Sequence, residues 1–363
     1  MRVEKGKFLS PYEAFKFLKL KGYPVRLFLD SASVNKKTGR YSVIAIGVKE
    51  ELTVKDDPNG FEKLRTFLNT LSFKYRIDNL PFGIYGFISY DANRYIEKIE
   101  NSQLDDIGLP DIYFFLPEIT LIFDNVEKKL WIVSFSEIPK IEEEKTTIKG
   151  TFSASISKFN MTKNYFFSAV EKIKEYIASG DTFQVNFSQR IDINFKGDYL
   201  ALYEKLRKIN PSPFSFFFDF SEFKAVSCSP ERLIRRHGNF VETRPIAGTR
   251  RRGKNEKENE ALEKELFLSE KERAEHIMLV DLERNDLGRV CRFGTVEVDE
   301  LMVKEEYSHV MHIVSNVKGE LKEGMDSIDL IKAVFPGGTI TGAPKVRTME
   351  IIAELEPTRR SLY

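Results

Sequence analysis

The sequence predicts a protein that combines helices with large, mostly antiparallel sheets, which is typical of the α/β or the α+β class. Short segments rich in aromatic and branched residues, such as FGIYGFISY and KLWIVSF, have the composition of strands. Other segments repeat apolar residues at helical spacing. Hydrophobic residues make up 42% of the chain and include 30 phenylalanines, enough for a substantial core. The order of these segments leaves the topology open.

The N-terminal half begins with a helix and continues mainly as strands. Ser10 and Pro11 form a good cap and first turn, and Gly22 ends the helix. VRLFLDSA, GRYSVIAIGV and DIYFFLPEITLIFD indicate strands. The polar run SEIPKIEEEKTTIKG, near residues 136–150, is the predicted linker. We therefore expect one domain over residues 1–140 and a second over residues 150–363.

The second half begins with an amphipathic helix in TKNYFFSAVEKIKEYIASGD, whose apolar face carries Phe166, Val170, Ile173 and Ile177. TFQVNFSQRIDINF then changes to a period of two, with Gln184, Asn186 and Ser188 on the polar face. EKENEALEKELFLSEKERAEHIMLVDLERND predicts a long charged helix with one break. SHVMHIVSNVKGEL indicates a strand, and TGAPKVRTMEIIAELEP a helix with Pro344 in its first turn.

Composition and charge exclude several classes of protein. The net charge of +1 provides no global attraction to nucleic acid or to an anionic membrane. No apolar run reaches the roughly 18 residues of a membrane span, and the N-terminal residues lack the apolar core of a signal peptide. The two cysteines, Cys228 and Cys291, indicate neither a disulfide framework nor a zinc site. We expect a soluble cytoplasmic protein that binds no nucleic acid.

Two segments suggest anion binding. ETRPIAGTRRRG combines turn residues with arginines that suit a carboxylate or a phosphate, although a solvated basic loop is an equal alternative. FPGGTITGAPK leads glycines into a helix, where free N–H groups and the helix dipole favour an anion. The spacing does not match a Walker loop, so a carboxylate is the better candidate ligand. A purely structural turn is as good an explanation.

Three further positions carry chemistry-bearing side chains. Glu275 lies beside an apolar helix surface and is either a structural charge or a ligand for a hard metal ion. His309 and His312 should lie on opposite faces of a strand, so they should not chelate one metal together. Glu231, next to a proline, is a proton donor if it is buried, and an exposed residue otherwise. Residue chemistry alone leaves these alternatives open.

In combination and in this order, the segments resemble the chorismate-utilising enzymes, which include component I of anthranilate synthase and of aminodeoxychorismate synthase. The matching strings are GRYSVIA, GFISYD, GDTFQVNFSQR, NPSPF, SPERL, ETRPIAGTRRRG, AEHIMLVDLERNDLGRV, YSHVMHIVS and FPGGTITGAPKVRTMEII. The resemblance implies an α+β fold like that of anthranilate synthase component I, with two facing large antiparallel sheets flanked by helices. It also implies Mg2+, and ammonia delivered by a separate glutaminase subunit.

The resemblance assigns roles to individual residues. It implies that Glu275 is a metal ligand and that Thr339, Gly342 and Lys345 bind substrate. It places His312 beside the departing hydroxyl or the ring, and makes Glu231 the general acid that protonates the 4-hydroxyl. The arginines after Glu242 would then form a carboxylate-lined pocket rim.

Ala247 bears on which branch of the family the chain resembles. Many aminodeoxychorismate synthases have a lysine at this position, which is thought to attack ring carbon 2, whereas anthranilate synthases have alanine. Other features, among them Asp30 in FLDSA and Asn186 in QVNFSQ, are more similar to the aminodeoxychorismate branch. We therefore expect component I of aminodeoxychorismate synthase, in para-aminobenzoate and folate synthesis. Anthranilate synthase component I, in tryptophan synthesis, is the alternative.

The resemblance further implies a tryptophan pocket at Asp30, Ser31, Tyr41 and Pro211, used for feedback inhibition in anthranilate synthases. Family members usually continue beyond EPTRRSLY with a further carboxylate loop and a second metal-binding glutamate. The resemblance therefore suggests a C-terminally truncated chain, and a second alternative is a non-catalytic remnant that binds chorismate or tryptophan.

Overall fold

A computed structural model describes the chain except for residues 34–37, 76, 78–79, 101, 140, 142–145, 221, 307–309 and 363. The helices are α1 Pro11–Leu20, α2 Gly60–Lys74, α3 Lys163–Ala178, α4 Tyr199–Ile209, α5 Glu256–Leu268, α6 Glu270–Val290, α7 Ser327–Val334, α8 Gly338–Thr341 and α9 Lys345–Leu355, with a 3-10 turn at Tyr90–Tyr95.

The strands are β1 Arg2–Gly6, β2 Val25–Asp30, β3 Tyr41–Ile46, β4 Glu50–Val54, β5 Tyr85–Ile88, β6 Ile112–Leu116, β7 Ile119–Asp124, β8 Lys129–Ser134, β9 Phe152–Phe159, β10 Gln184–Val185, β11 Ile191–Gly197, β12 Phe214–Asp219, β13 Lys224–Ser229, β14 Arg235–His237, β15 Phe240–Thr243, β16 Ile246–Arg251, β17 Glu297–Glu306, β18 Val310–Glu320 and β19 Gly342–Ala343. These elements confirm the expected α+β class with antiparallel sheets.

The first large sheet is antiparallel and has the order β1-β8-β7-β3-β2-β12-β13. Its core contains Phe15 from α1, Phe28 and Phe123 from the sheet, and Tyr203 from α4, all almost fully buried. β12 pairs with β2, with Ser215 opposite Asp30. Residues 1–140 therefore do not complete this sheet alone, because β12 and β13 come from the range 150–363. The division into two domains stays a prediction about sequence ranges.

The second large sheet is organised around β18. β15 and β16 pair with one edge of β18 and β17 pairs with the other, since Ile246 and Val303 both oppose Val314. Helices α6 and α7 pack on this sheet through a core that includes Val280, Leu287 and Leu330. The smaller sheets are β4-β6-β5, β9-β11 and β10-β19.

Local signals predicted several boundaries correctly. The Ser10 hydroxyl accepts a hydrogen bond from the Glu13 N–H at the start of α1, and Gly22 follows its end with a φ of 80°. The long charged helix breaks once, at Ser269, whose hydroxyl accepts from the Glu272 N–H and caps α6. Pro344 precedes α9 as its N-cap instead of lying inside the first turn.

Two predicted apolar faces need correction. On α3, Ile177 is 41% exposed, and Ala169 and Ile173 are the buried positions that contact α9. The predicted strand from Thr182 is interrupted, because β10 contains only two residues and Phe183 is 71% exposed. Its polar face survives as predicted, since Gln184 and Asn186 both contact residues of the glycine-rich segment or of α6.

The predicted linker contains no helix or strand among its described residues, and residues 140 and 142–145 lie outside them. His309 also lies outside the described residues. No helix in the described part of the chain combines the length and the apolar character that a membrane span requires.

Gly342 is expected to tolerate no side chain. Its φ is 136°, and an added Cβ would lie 1.9 Å from the Gln184 carbonyl oxygen. Gly342→Ala should therefore lower the free energy of unfolding by about 3 kcal/mol or more, as measured by denaturant unfolding. Gly180→Ala is the control, because Gly180 has a φ of 84° and open space around it. That change should cost about 1 kcal/mol, and equal losses would contradict the steric argument.

Candidate active site

Glu275 lies on α6 and faces the glycine-rich segment that precedes α9. Its Oε1 accepts a hydrogen bond of 2.9 Å from Gln184 Nε2. Gln184 in turn pairs with Ala343 across β10 and β19. The carboxylate is half-buried and lies one side chain away from this segment. The Gln184 Oε1 is buried and has no hydrogen-bond partner among the described residues, so an acceptor is available there.

The glycine-rich loop, residues Phe335–Lys345, connects α7 to α9. Lys345 at its end is buried, and its Nζ lies 2.5 Å from Asp286 Oδ2 and donates to the Val334 carbonyl oxygen at 2.8 Å. The ammonium group is thus already held by an internal anion. Gly342 provides the close approach of β10 to β19. The predicted contacts of these residues and Thr339 with a substrate stay predictions.

Glu231 follows β13 and faces the same loop. Burial raises the pKa of its carboxyl group to about 7, although hydrogen bonds from the Thr339 hydroxyl and the Ile246 N–H act in the opposite direction. A carboxyl group with this pKa keeps its proton in about half of the molecules at neutral pH and in more of them below it. The side chain therefore has the protonation state that a general acid requires.

Glu283 is a neighbouring acid that sequence reasoning missed. It lies on α6, and its Oε2 is buried without a hydrogen-bond partner among the described residues. Burial, together with the charges of Glu231 and Asp286, raises its pKa to about 8, against the opposing effects of Thr243 and Lys345. The helix periodicity could have placed Glu283 and Asp286 on one face, but it could not have brought Glu231 to them.

His312 lies in the middle of the second sheet. Its Nδ1 is 2.9 Å from the Thr249 hydroxyl on β16. Burial lowers its pKa, against the effects of a Gly248 backbone contact and the Glu305 charge, so the neutral imidazole is favoured. Gly248 forms a bulge with a φ of 68°, and Ala247 is buried opposite Ile313. The bulge thereby brings Thr249 opposite His312.

The arginines of ETRPIAGTRRRG contact carboxylates of the protein itself. Arg244 is buried and binds Glu305 through Nε and Nη2, at 2.8 and 2.5 Å. Further along the stretch, Arg250 contacts Glu265 and Glu272, Arg251 contacts Glu258, and Arg252 contacts Glu306. These arginines therefore pair with glutamates of α5, α6 and β17, and their place on the rim of a pocket stays a prediction.

Arg360 and Glu356 form a second buried ion pair beside the loop. The guanidinium donates to both carboxylate oxygens, at 2.8 and 2.6 Å, and also to the Ile340 carbonyl oxygen at 2.6 Å. The only sequence signal for this pair was its spacing of four residues near the end of α9.

The residues of the predicted tryptophan pocket lie at one end of the neighbouring strands β3, β2 and β12 in the first sheet. Asp30 is buried and accepts hydrogen bonds from Tyr203 and Arg207. The Ser31 hydroxyl donates to the Tyr41 carbonyl oxygen at 2.7 Å. Pro211 precedes β12, which pairs with β2. Binding of tryptophan here stays a prediction.

The described residues contain no cluster of three or more histidines, cysteines or carboxylates that could hold a metal ion. Mg2+ does not need such a cluster, because it usually keeps several waters and binds one or two carboxylates together with an anionic substrate. The half-buried carboxylate of Glu275 fits this requirement. The site combines that carboxylate with an acid whose pKa is raised to about 7 and with a loop able to face an anion.

Comparisons with known proteins agree with this geometry. The model of the chorismate binding enzyme family matches residues 28–363. Aminodeoxychorismate synthase component 1 of Bacillus subtilis is 46% identical over 354 residues, covering 90% of this chain and 73% of that protein. Anthranilate synthase component 1 of Aquifex aeolicus is 41% identical over 396 residues, covering 98% and 80%.

The fold comparison gives the same result. The crystal structure of anthranilate synthase component I from Streptococcus pneumoniae TIGR4 superposes with a TM-score of 0.78 at 31% identity, covering 100% of this chain and 86% of that one. Sequence, fold and site geometry together show that the chain belongs to the chorismate binding enzyme family.

Proposed function

We propose that the chain is the chorismate-aminating component of an aminodeoxychorismate synthase, which converts chorismate and ammonia into 4-amino-4-deoxychorismate for para-aminobenzoate synthesis. The relative from Bacillus subtilis that carries this name supports the assignment. The observation that carries the proposal is the half-buried Glu231 beside the glycine-rich loop, whose carboxyl pKa is raised to about 7.

Glu231 supplies the proton that the reaction needs. Hydroxide is a poor leaving group, so the 4-hydroxyl of chorismate must be protonated as its bond to carbon breaks. The Thr339 hydroxyl and the Ile246 N–H orient the carboxyl group, and they accommodate the negative charge that remains after proton transfer. The neutral His312 lies on the neighbouring strand, where it can orient the leaving hydroxyl or the ring without competing as a cation.

Glu275 is the candidate ligand for Mg2+. Gln184 fixes one of its carboxylate oxygens and leaves the other for coordination. When bound, Mg2+ would polarise the ring carboxylate of chorismate and make the ring a better electrophile. The Phe335–Lys345 loop faces the same region and is the candidate site for a substrate carboxylate.

The nitrogen donor is proposed to be ammonia from a separate glutaminase subunit. The relatives are named as component 1, which supports the existence of a partner component.

Anthranilate synthesis is the second candidate, and Ala247 is the observation that favours it. Ala247 is buried opposite Ile313 and has no nucleophilic atom. A mechanism in which this position attacks ring carbon 2 is therefore excluded. Direct addition of ammonia to carbon 2, followed by loss of pyruvate, needs no such nucleophile.

The product separates the two candidates. Incubated with chorismate, ammonium and Mg2+, the chain should form a product that keeps the enolpyruvyl group and yields para-aminobenzoate only after a lyase is added. Mass spectrometry and fluorescence provide the measurement. Fluorescent anthranilate with one equivalent of pyruvate would replace the first candidate by the second, and absence of any turnover would contradict both.

Glu231→Gln should lower kcat by about two to four orders of magnitude, because the amide cannot donate an acidic proton. In the unchanged chain, kcat should fall as the pH rises through about 7, since the acid must be protonated to act. The variant should lose this limb of the pH profile. The control is Glu297→Gln, because Glu297 on β17 is exposed and contacts Lys318 on β18. A pH profile that is the same in both variants would exclude Glu231 as the acid.

Glu275→Gln should raise the Mg2+ concentration needed for half-maximal activity at least about tenfold, because the metal loses a charged ligand. Chelation with EDTA should abolish activity in the unchanged chain, and added Mg2+ should restore it. Asp281→Asn is the matched control, since Asp281 is an exposed residue on the same helix that contacts only Arg284 in the described contacts. Equal metal dependence in the two variants would show that Glu275 is not a ligand.

A further inference from the structure

Three successive carbonyl groups of the glycine-rich loop are held by two residues from distant parts of the chain. Asn186 donates from Nδ2 to the Thr339 oxygen at 2.9 Å and from its backbone N–H to the Thr341 oxygen at 2.7 Å. Between them, Arg360 Nη1 donates to the Ile340 oxygen at 2.6 Å. The loop thus contacts a bracket formed by Asn186 and Arg360.

The two members of the bracket also hold each other. Arg360 Nη2 donates to the Asn186 carbonyl oxygen at 2.5 Å, and the guanidinium lies 4.6 Å from the centre of the Tyr90 ring. The charge of Arg360 is balanced by Glu356, which also accepts from the Ser188 N–H at 2.7 Å. This set of contacts needs the planar fork of a guanidinium, because a lysine ammonium cannot reach separate acceptors in the same geometry.

The bracket controls what the loop presents on its other side. A peptide group is planar, and its N–H is antiparallel to its C=O. Carbonyl groups that point to Asn186 and Arg360 therefore keep their negative ends away from an anion on the opposite side of the loop. Because the Thr339 backbone is held, the position of its side chain is restricted as well. The hydroxyl group of this side chain contacts Glu231.

We propose that Asn186 and Arg360 are positioning residues that fix the Thr339–Thr341 backbone, so that the loop accepts a carboxylate of chorismate and holds Thr339 against the general acid Glu231. This proposal rests on the proposed function. It assigns a role to two residues that do not themselves contact the reacting atoms.

Asn186 is the sharper test, because its substitution removes no charge. Asn186→Val deletes the donor to the Thr339 oxygen and retains the backbone contact with Thr341. The hydrogen bond from Thr339 favours the ionised form of Glu231, so its loss should raise the pKa of that carboxyl group. Glu283, with Asp286 and Lys345 beside it, faces Glu231 from α6 and is unchanged in this variant.

Arg360 has a matched control in the adjacent residue. Arg359 lies on the same segment but contacts Asp56 and Asp105 of the N-terminal region, away from the loop. Arg360→Met should lower kcat/KM for chorismate about tenfold or more, and Arg360→Lys should not restore it, because the charge alone does not hold two carbonyl groups. Arg359→Met should stay within about twofold of the unchanged chain.

The experiment combines kinetics over a range of pH with hydrogen exchange of residues 337–345 in the ligand-free chain. We expect Asn186→Val and Arg360→Met to speed exchange in this segment and to lower kcat/KM, and Asn186→Val to displace the falling limb of kcat to higher pH. Arg359→Met should change neither property. If Arg360→Met does not fold, Asn186→Val decides the outcome alone.

The proposal would be overturned if the Asn186→Val variant folds and shows the same hydrogen-exchange rates and the same pH profile of kcat as the chain without substitutions. Full recovery of kcat/KM in Arg360→Lys would also overturn it, since only the charge would then matter. If the chain without substitutions does not convert chorismate, the result contradicts the proposed function and not the role of the bracket. Hydrogen exchange would then decide whether the bracket holds the loop. If residues 337–345 exchange at the same rate in Asn186→Val, in Arg360→Met and in the parent chain, the bracket does not hold the loop.

Discussion

Burial of ionisable groups around the Phe335–Lys345 loop is the constraint on which the rest of the catalytic region depends. A buried charge needs a partner, and a carboxyl group without one takes up a proton. Two buried charges of this region are paired, since Lys345 contacts Asp286 and Arg360 contacts Glu356, and these pairs hold the loop at two points. Glu231 and Glu283 have no such charged partner among the described residues, and their pKa values are raised to about 7 and about 8. The same low-dielectric environment thus provides both the rigidity of the loop and the acid.

The arginine-rich stretch illustrates why the composition of a segment does not identify its ligand. Its arginines suit carboxylates, as expected, but the carboxylates are glutamates of α5, α6 and β17. One of these pairs, Arg250 with Glu272, attaches β16 to α6, the helix that carries Glu275 and Glu283. The stretch therefore contributes to the site by fixing the distance between β16 and α6, and a surface with paired charges attracts a diffusing anion only weakly.

Sequence reasoning succeeded where the cause of the structure is local. The cap at Ser10, the break at Ser269 and the polar face of residues 184–188 all follow from contacts within a few residues or from strand periodicity. It could not find the contribution of β12 and β13 to the first sheet, since strand pairing joins residues nearly two hundred positions apart. The bracket at Arg360 and the pair Glu231–Glu283 depend on the same long-range folding. The family resemblance assigned Glu231, Glu275 and the loop to one site, but it did not identify the residues that hold them in place.

Ala247 is the residue that argues most strongly against the proposed function, and the neighbouring geometry shows why. The bulge at Gly248 follows directly, and Ala247 is buried opposite Ile313. Lys345, the lysine of the adjacent loop, is held by Asp286 and does not replace the missing amine. If ammonia itself takes the place of the missing amine, 4-amino-4-deoxychorismate forms by two additions of ammonia, first at ring carbon 2 with loss of the 4-hydroxyl, and again at carbon 4 with loss of the first nitrogen. Anthranilate needs only the first of these steps. The choice between the two products therefore depends on whether the site holds the first adduct long enough for a second ammonia to arrive before pyruvate leaves.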